Sequence, residues 1–194
     1  MELKDYHIIL ASNSPRRREL LRGLDLDFEV RVLPGIAEDH PDGMRAEDIP
    51  VFISKEKASA YKDSLEANDL LITADTMVIL DGKALGKPKD DDDARRMLHA
   101  LSGKTHHVVT GVTISAKDKV RTFGVSTDVA FKPLSDEEID YYVSHYHPLD
   151  KAGAYGIQEW IGYVGCTALS GSYFNVMGLP VERLWERLQP IIKP

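Results

Sequence analysis

A chain of 194 residues with 43% hydrophobic and 28% charged residues is long enough to bury a full core and has the make-up of an ordinary globular protein. Its net charge of −7 argues against a nucleic-acid polymer or an anionic membrane as the main partner, because a phosphate surface calls for a basic face. One cysteine, Cys166, excludes an internal disulfide and suits a reducing compartment.

No apolar run approaches membrane-spanning length, and Met1-Glu2-Leu3-Lys4-Asp5 lacks the basic-then-apolar pattern of a signal peptide. The expected location is therefore the cytoplasm.

His7-Ile8-Ile9-Leu10 reads as a short buried strand, and a helix follows it. Ser14 is the expected N-cap, Pro15 the first helical residue, and Gly23 lies just past the end. Arg16, Arg17 and Arg18 fall in the first turn, where the helix dipole disfavours cations. Three arginines beside the N–H groups of a strand-to-helix turn and the hydroxyls of Ser12 and Ser14 make a place for an anion, phosphate above all. On that reading, removing Arg17 leaves the unliganded chain as stable as before, or slightly more so.

Phe28, Val30 and Val32 alternate with Glu29 and Arg31, the pattern of a half-buried strand. An acid-rich loop over 36–48 carries Glu38, and a helix is expected over 50–65. Residues 70–80 read as a central strand, and Asp81-Gly82 as the two-residue turn of a hairpin into Lys83-Ala84-Leu85. Asp90 to Asp93 open a helix that Gly103 closes; acids at the positive end explain this run better than a metal cluster does. Residues 106–115 and 120–132 read as an antiparallel pair linked by Ala116-Lys117-Asp118-Lys119. Ser135-Asp136-Glu137-Glu138 is a capping box for a helix to about His145. A glycine-rich loop over 148–162, a strand-like stretch ending at Leu179 and a closing helix after Pro180 complete the chain. The expected fold is a single α/β domain over 1–194 with a mixed sheet.

Chemistry is expected first at Asp75, a carboxylate interrupting an apolar strand, with the hydroxyls of Thr73 and Thr76 beside it. Glu38 is a candidate to join Asp75 in holding a divalent cation through oxygen ligands. Lys87, bounded by Pro88 after the hairpin, is a candidate phosphate contact, though a solvated turn lysine is as common; Lys57, on a helix, reads as a surface lysine unless its neighbours say otherwise. In Asp150-Lys151-Ala152-Gly153-Ala154-Tyr155-Gly156-Ile157-Gln158, small residues permit close approach to the backbone, and Gln158 offers both a donor and an acceptor to a base.

Other apparent motifs fail. Ser102-Gly103-Lys104-Thr105 imitates the end of a phosphate-binding loop, but Leu98 stands where that loop needs glycine, and the segment joins helix to strand. His106 and His107 are neighbours on a strand and face opposite ways, which makes them poor co-ligands. His145, His147 and Cys166 lack the paired spacing of a zinc site.

Taken in order, Leu10-Ala11-Ser12 through Ser14-Pro15-Arg16-Arg17, Glu56-Lys57-Ala58, Ala74-Asp75-Thr76, Lys87-Pro88, Ser102-Gly103-Lys104-Thr105-His106, residues 150–158 and Gly178-Leu179-Pro180 resemble the Maf proteins along nearly the whole chain. The resemblance implies an elongated α/β fold related to inosine triphosphatase, a mixed sheet flanked by helices with a cleft between two lobes. It implies a cytoplasmic, usually homodimeric, nucleoside triphosphate pyrophosphatase dependent on Mg²⁺ or Mn²⁺, which acts on small-molecule nucleotides and releases a monophosphate and pyrophosphate.

Carried over by residue, Asp75 is the proton acceptor and, with Glu38, the metal ligand. Ser12, Ser14, Arg17, Lys57 and Lys87 hold phosphates, and Arg16, Thr76 and Gln158 set base preference. The Ala-Asp-Thr and Gly-Ile-Gln combination is similar to the subgroup preferring dTTP and UTP. Asn13, Gly86 and the bulky Glu159-Trp160-Ile161-Gly162-Tyr163 depart from the usual pattern. Two other readings stay open: a nucleotide-binding regulator of cell division without essential catalysis, and a phosphatase releasing orthophosphate.

Overall fold

The structure is a computed structural model that describes residues 5–117 and 119–192. The segment Met1-Glu2-Leu3-Lys4 and Asp118 of the hairpin link, both used in the sequence reading, lie outside the described residues. Seven strands form one mixed sheet in the order β2-β1-β3-β5-β6-β7, with β4 pairing β3. The strands are β1 (His7–Leu10), β2 (Glu29–Val30), β3 (Asp69–Leu80), β4 (Lys83–Leu85), β5 (Thr105–Ala116), β6 (Lys119–Phe131) and β7 (Cys166–Ser170). Helices are α1 (Pro15–Arg22), α2 (Ile49–Ser59), α3 (Asp91–Leu101), α4 (Asp136–Tyr146), α5 (Trp160–Gly165), α6 (Tyr173–Met177) and α7 (Val181–Ile192). Among the described residues no helix is long and apolar enough to cross a membrane.

The described residues segregate into two compact units, one of residues 5–75, 110–117, 119–125 and 178–192, the other of 76–109 and 126–177.

In the first unit, β1 runs parallel to both β2 and β3, with Ile9 opposite Glu29 and Leu71. Ile9 and Leu71 bury their side chains with Ala58 of α2 and Tyr61. The strand expected around Phe28, Val30 and Val32 shrinks to Glu29–Val30, and both valines are exposed. Tyr61 supplies the reason: its hydroxyl donates to the Arg31 carbonyl at 3.0 Å and accepts from the Leu33 amide at 2.8 Å. Backbone groups that would have extended the ladder are satisfied by a side chain instead.

Helix α2 is fixed to the sheet by hydroxyls. Thr73 Oγ1 donates to the Ser54 carbonyl at 2.7 Å, and Ser54 Oγ lies 3.0 Å from Thr113 Oγ1. Gly111 of β5 permits the close approach, since a Cβ there would fall 2.2 Å from the Pro50 carbonyl oxygen. The helix ends at Ser59 rather than near residue 65, and a 3₁₀ turn, Lys62–Ser64, takes up the remainder.

In the second unit, β3 turns into β4 through Asp81 and Gly82, both at positive φ as a tight hairpin turn demands. Asp90 caps α3 and accepts from the Asp93 amide at 2.8 Å, the helix-start role assigned to the acidic run. Ser135 and Glu138 form both halves of the capping box of α4, which packs on α3. The stretch after Pro148 is not one loop followed by a strand. Two 3₁₀ turns, Pro148–Asp150 and Ala152–Ala154, lead into α5, β7 and α6.

Candidate functional site

The start of α1 is built as its sequence dictates. Ser14 Oγ accepts from the Arg17 amide at 3.4 Å, and the buried Ser12 turns its Oγ to the Ser14 amide at 3.2 Å. The first turn contains no acid, so the dipole's positive end is left to the arginines. Arg17 does more than wait for an anion. Its Nε donates to the Gly178 carbonyl and its Nη1 to the Ala74 carbonyl, each at 2.7 Å. Desolvation lowers the guanidinium's pKa, against the upward pull of the nearby Asp75 charge. The expectation that Arg17 is dispensable to the unliganded fold is therefore corrected: it ties α1 to the peptide that leads into Asp75.

Asp75 sits two residues beyond Thr73 on β3, hence on the same face, and Lys57 sits three beyond Ser54 on α2. The Thr73–Ser54 bond thus sets the separation at which the next pair meets. Lys57 Nζ lies 2.8 Å from Asp75 Oδ1 and 2.7 Å from Glu38 Oε1. Both carboxylate oxygens touch one nitrogen, so they lie no farther apart than the sum of those distances. Asp75 and Lys57 side chains are 12% and 14% exposed, whereas Glu38 is 48% exposed, so the loop carboxylate closes the group from the solvent side. The structure thus brings Glu38 and Asp75 to one Lys57 ammonium.

Sequence gave no sign that Lys57 would bridge the two. Among the described residues no group of three or more His, Cys, Asp or Glu is placed to hold a metal. The donor set that is present still fits a hard cation of the Mg²⁺ type, which takes one or two carboxylates and fills its remaining positions with phosphate oxygens and water.

The second unit holds Thr76, Lys87 and Gln158, while Arg16 lies in the first turn of α1 in the first unit. Thr76 is half-buried and, as Asp75's neighbour on a strand, points to the opposite face. Lys87 is exposed just after β4, and the preceding Gly86 carbonyl accepts from the Gly153 amide at 3.0 Å. That bond ties the segment carrying Lys87 to the segment carrying Gln158. Gly153 has φ +67, and a Cβ there would meet the Val78 side chain at 2.8 Å, so glycine is required on both counts. Gln158 is half-buried, and its Oε1 has no hydrogen-bond partner among the described residues. A buried acceptor left in that state calls for a donor.

Around Gln158 lies a set of groups to which the sequence analysis assigned no role. The Tyr142 hydroxyl, on α4, accepts from the Gly156 amide at 3.0 Å and donates to Glu159 Oε2. The other oxygen of Glu159 lies 3.1 Å from Lys151 Nζ. Burial and the Glu159 charge raise the Tyr142 pKa, so its proton stays in place. His106 is fully buried with Nε2 2.7 Å from the Tyr155 hydroxyl, while the exposed His107 pairs with Asp128 at 2.7 Å; the two rings face opposite ways as expected.

The Maf-like protein family matches this chain over residues 7–191. Among curated relatives, a dTTP/UTP pyrophosphatase of Phocaeicola vulgatus is 58% identical over 97% of this chain and 98% of its own length. One of Porphyromonas gingivalis is 55% identical over 96% and 95%. Among solved structures, a HAM1 protein from Coxiella burnetii aligns over 95% of this chain and 99% of its own with a TM-score of 0.51 at 15% identity, a likeness of fold. With that match and those relatives spanning almost its whole length, the chain belongs to the Maf family.

Proposed function

We propose that this chain is a metal-dependent nucleoside triphosphate pyrophosphatase that hydrolyses dTTP and UTP to the monophosphate and pyrophosphate, clearing nucleotides that include modified pyrimidines. The observation that carries the reading is the Lys57 ammonium held between Glu38 and Asp75, beside the α1 start that Arg17 ties to Ala74. The names borne by the full-length relatives support the substrate class. A pure nucleotide sensor would need the basic residues but would gain nothing from the buried Asp75 carboxylate, whose desolvation is costly.

Cleavage between the α- and β-phosphates needs a positioned water, an acceptor for its proton, and cations against the charge of the leaving pyrophosphate. Asp75 accepts the proton. Lys57, with two of its three N–H donors on carboxylates, turns the third to a phosphate oxygen. Ser12, Ser14, Arg17 and Lys87 hold the remaining phosphate oxygens. A divalent cation on Asp75 and Glu38 would add positive charge against the phosphates and make water more acidic.

Gln158, with Arg16 and Thr76, sets base preference. The pairing edge of uracil and thymine presents acceptor, donor, acceptor, and its N–H answers the Gln158 Oε1 that no described residue satisfies. A mismatched base leaves such groups unpaired at about 1–3 kcal/mol each.

The test is turnover on dTTP, UTP, CTP, ATP and GTP with Mg²⁺, for the natural chain and Gln158→Glu. The natural chain is expected to prefer dTTP and UTP, and the variant to lose dTTP turnover more than any weak purine activity. Preference for a purine, or an unchanged ranking in Gln158→Glu, overturns the base reading.

A further inference from the structure

We propose that Tyr142, Glu159 and Lys151 are positioning residues for base selection: they hold the turn that presents Gln158, and through it set discrimination between bases. The inference deepens the function proposed above and rests on its assignment of Gln158.

The geometry is local to one unit. Gln158 lies between Gly156, whose amide donates to the Tyr142 hydroxyl at 3.0 Å, and Glu159, whose Oε2 accepts a hydrogen bond from that hydroxyl. One phenol oxygen thus clamps the backbone before Gln158 and the side chain after it. Gly156 makes the clamp possible: a Cβ there would come within 2.8 Å of Gln158 Nε2 and 2.9 Å of Glu159 Cδ. The two side chains therefore fold back over Gly156, and the amide of Gln158 is confined against it.

On the far side, Glu159 Oε1 lies 3.1 Å from the Lys151 ammonium, which also pairs with Asp150 at 2.8 Å and is only 8% exposed as a residue. A lysine is seldom buried without a partner, and this one ties the beginning of the segment 150–158 to its end. The turn continues into α5, where a Cβ on Gly162 would stand 1.8 Å from the Ile157 carbonyl oxygen, so the helix seats directly on the backbone beside Gln158. Tyr142 itself is fully buried on α4. The turn is thus held by Tyr142, Glu159 and Lys151 while Gln158 Oε1 stays unsatisfied by any described residue. Such pre-organisation is what lets a polar group reject a mismatched base instead of adapting to it.

Tyr142→Phe removes one oxygen and keeps the ring, so packing persists while both bonds of the clamp are lost. The experiment measures kcat/KM for UTP and GTP with Mg²⁺ in the natural chain, Tyr142→Phe, Gln158→Ala and the double variant, with far-UV circular dichroism and melting to confirm folding. The UTP-to-GTP ratio is expected to fall by about tenfold in each single variant, the scale of one misplaced hydrogen bond, and no further in the double variant. A role confined to stability would lower melting temperature without this coupling. Should Tyr142→Phe fail to fold, Glu159→Gln takes its place in the cycle, with the same coupling expected at a smaller amplitude.

If Gln158→Ala lowers the ratio but the clamp variant leaves it within about twofold, or the two losses multiply, the positioning role is overturned and the base reading stands. If Gln158→Ala leaves the ratio untouched, the assignment of Gln158 fails and the positioning role falls with it.

Discussion

Arg17 and Asp75 meet at one peptide group. The carbonyl Arg17 holds belongs to Ala74, and the same peptide carries the amide of Asp75. The guanidinium therefore sets the backbone from which the carboxylate projects, and Lys57 sets the carboxylate itself. Removing Arg17 strands the Ala74 and Gly178 carbonyls, so Arg17→Ala is expected to lower the free energy of unfolding by about 2–4 kcal/mol. Urea denaturation of the unliganded protein measures this; an unchanged midpoint would return the arginine to the role of a waiting anion site. Asp75→Asn keeps the shape and removes the charge. Turnover is expected to drop by about a hundredfold or more, the scale of a lost general base, with the fold retained. Near-normal turnover with normal melting would remove the Asp75 charge from the reaction. The role of Arg17 was hidden in the sequence because its partners are main-chain carbonyls at 74 and 178, which no residue letter displays. Asp75 was visible because a carboxylate breaks an apolar run.

At the scale of elements, what the sequence showed was what local rules decide: the Ser14 cap, the Asp81-Gly82 turn and the Ser135 capping box all stand where expected. Misreadings came where distant groups intervene. Alternation over residues 28–32 mimics a strand, but Tyr61, about thirty positions away, takes the backbone. Residues 148–177 fold as two 3₁₀ turns, α5, β7 and α6, and buried side chains such as Tyr142 and Lys151 hold the part around 150–159 through partners that no periodic pattern displays.

His106 on β5 shows how burial sets an element's pH response. Desolvation lowers its pKa to about 4, and its ring packs edge-on against Phe131 and Tyr155. The unfolded chain protonates this histidine near pH 6.5, so between pH 6.5 and 4 the unfolded state binds the extra proton and stability falls as pH drops. Melting curves across that range are expected to show a loss approaching 1.4 kcal/mol per pH unit, roughly, from this group, with a shallower slope in His106→Gln. An identical slope in the variant would assign the acid response elsewhere.

At the scale of the molecule, the chain divides its candidate chemistry. Ser12, Ser14, Arg16, Arg17, Glu38, Lys57 and Asp75 belong to one compact unit, while Thr76, Lys87 and Gln158 belong to the other, with the boundary falling between Asp75 and Thr76. In a protein of net charge −7, the basic residues of the α1 start and Lys57 are a local exception, which suits a small polyanion better than a nucleic-acid polymer. The measurement that tests the central claim most directly is identification of the products of dTTP with Mg²⁺ by chromatography and phosphorus NMR. The account expects dTMP and pyrophosphate in equal amounts. Orthophosphate with dTDP, or bound but intact dTTP, would contradict it.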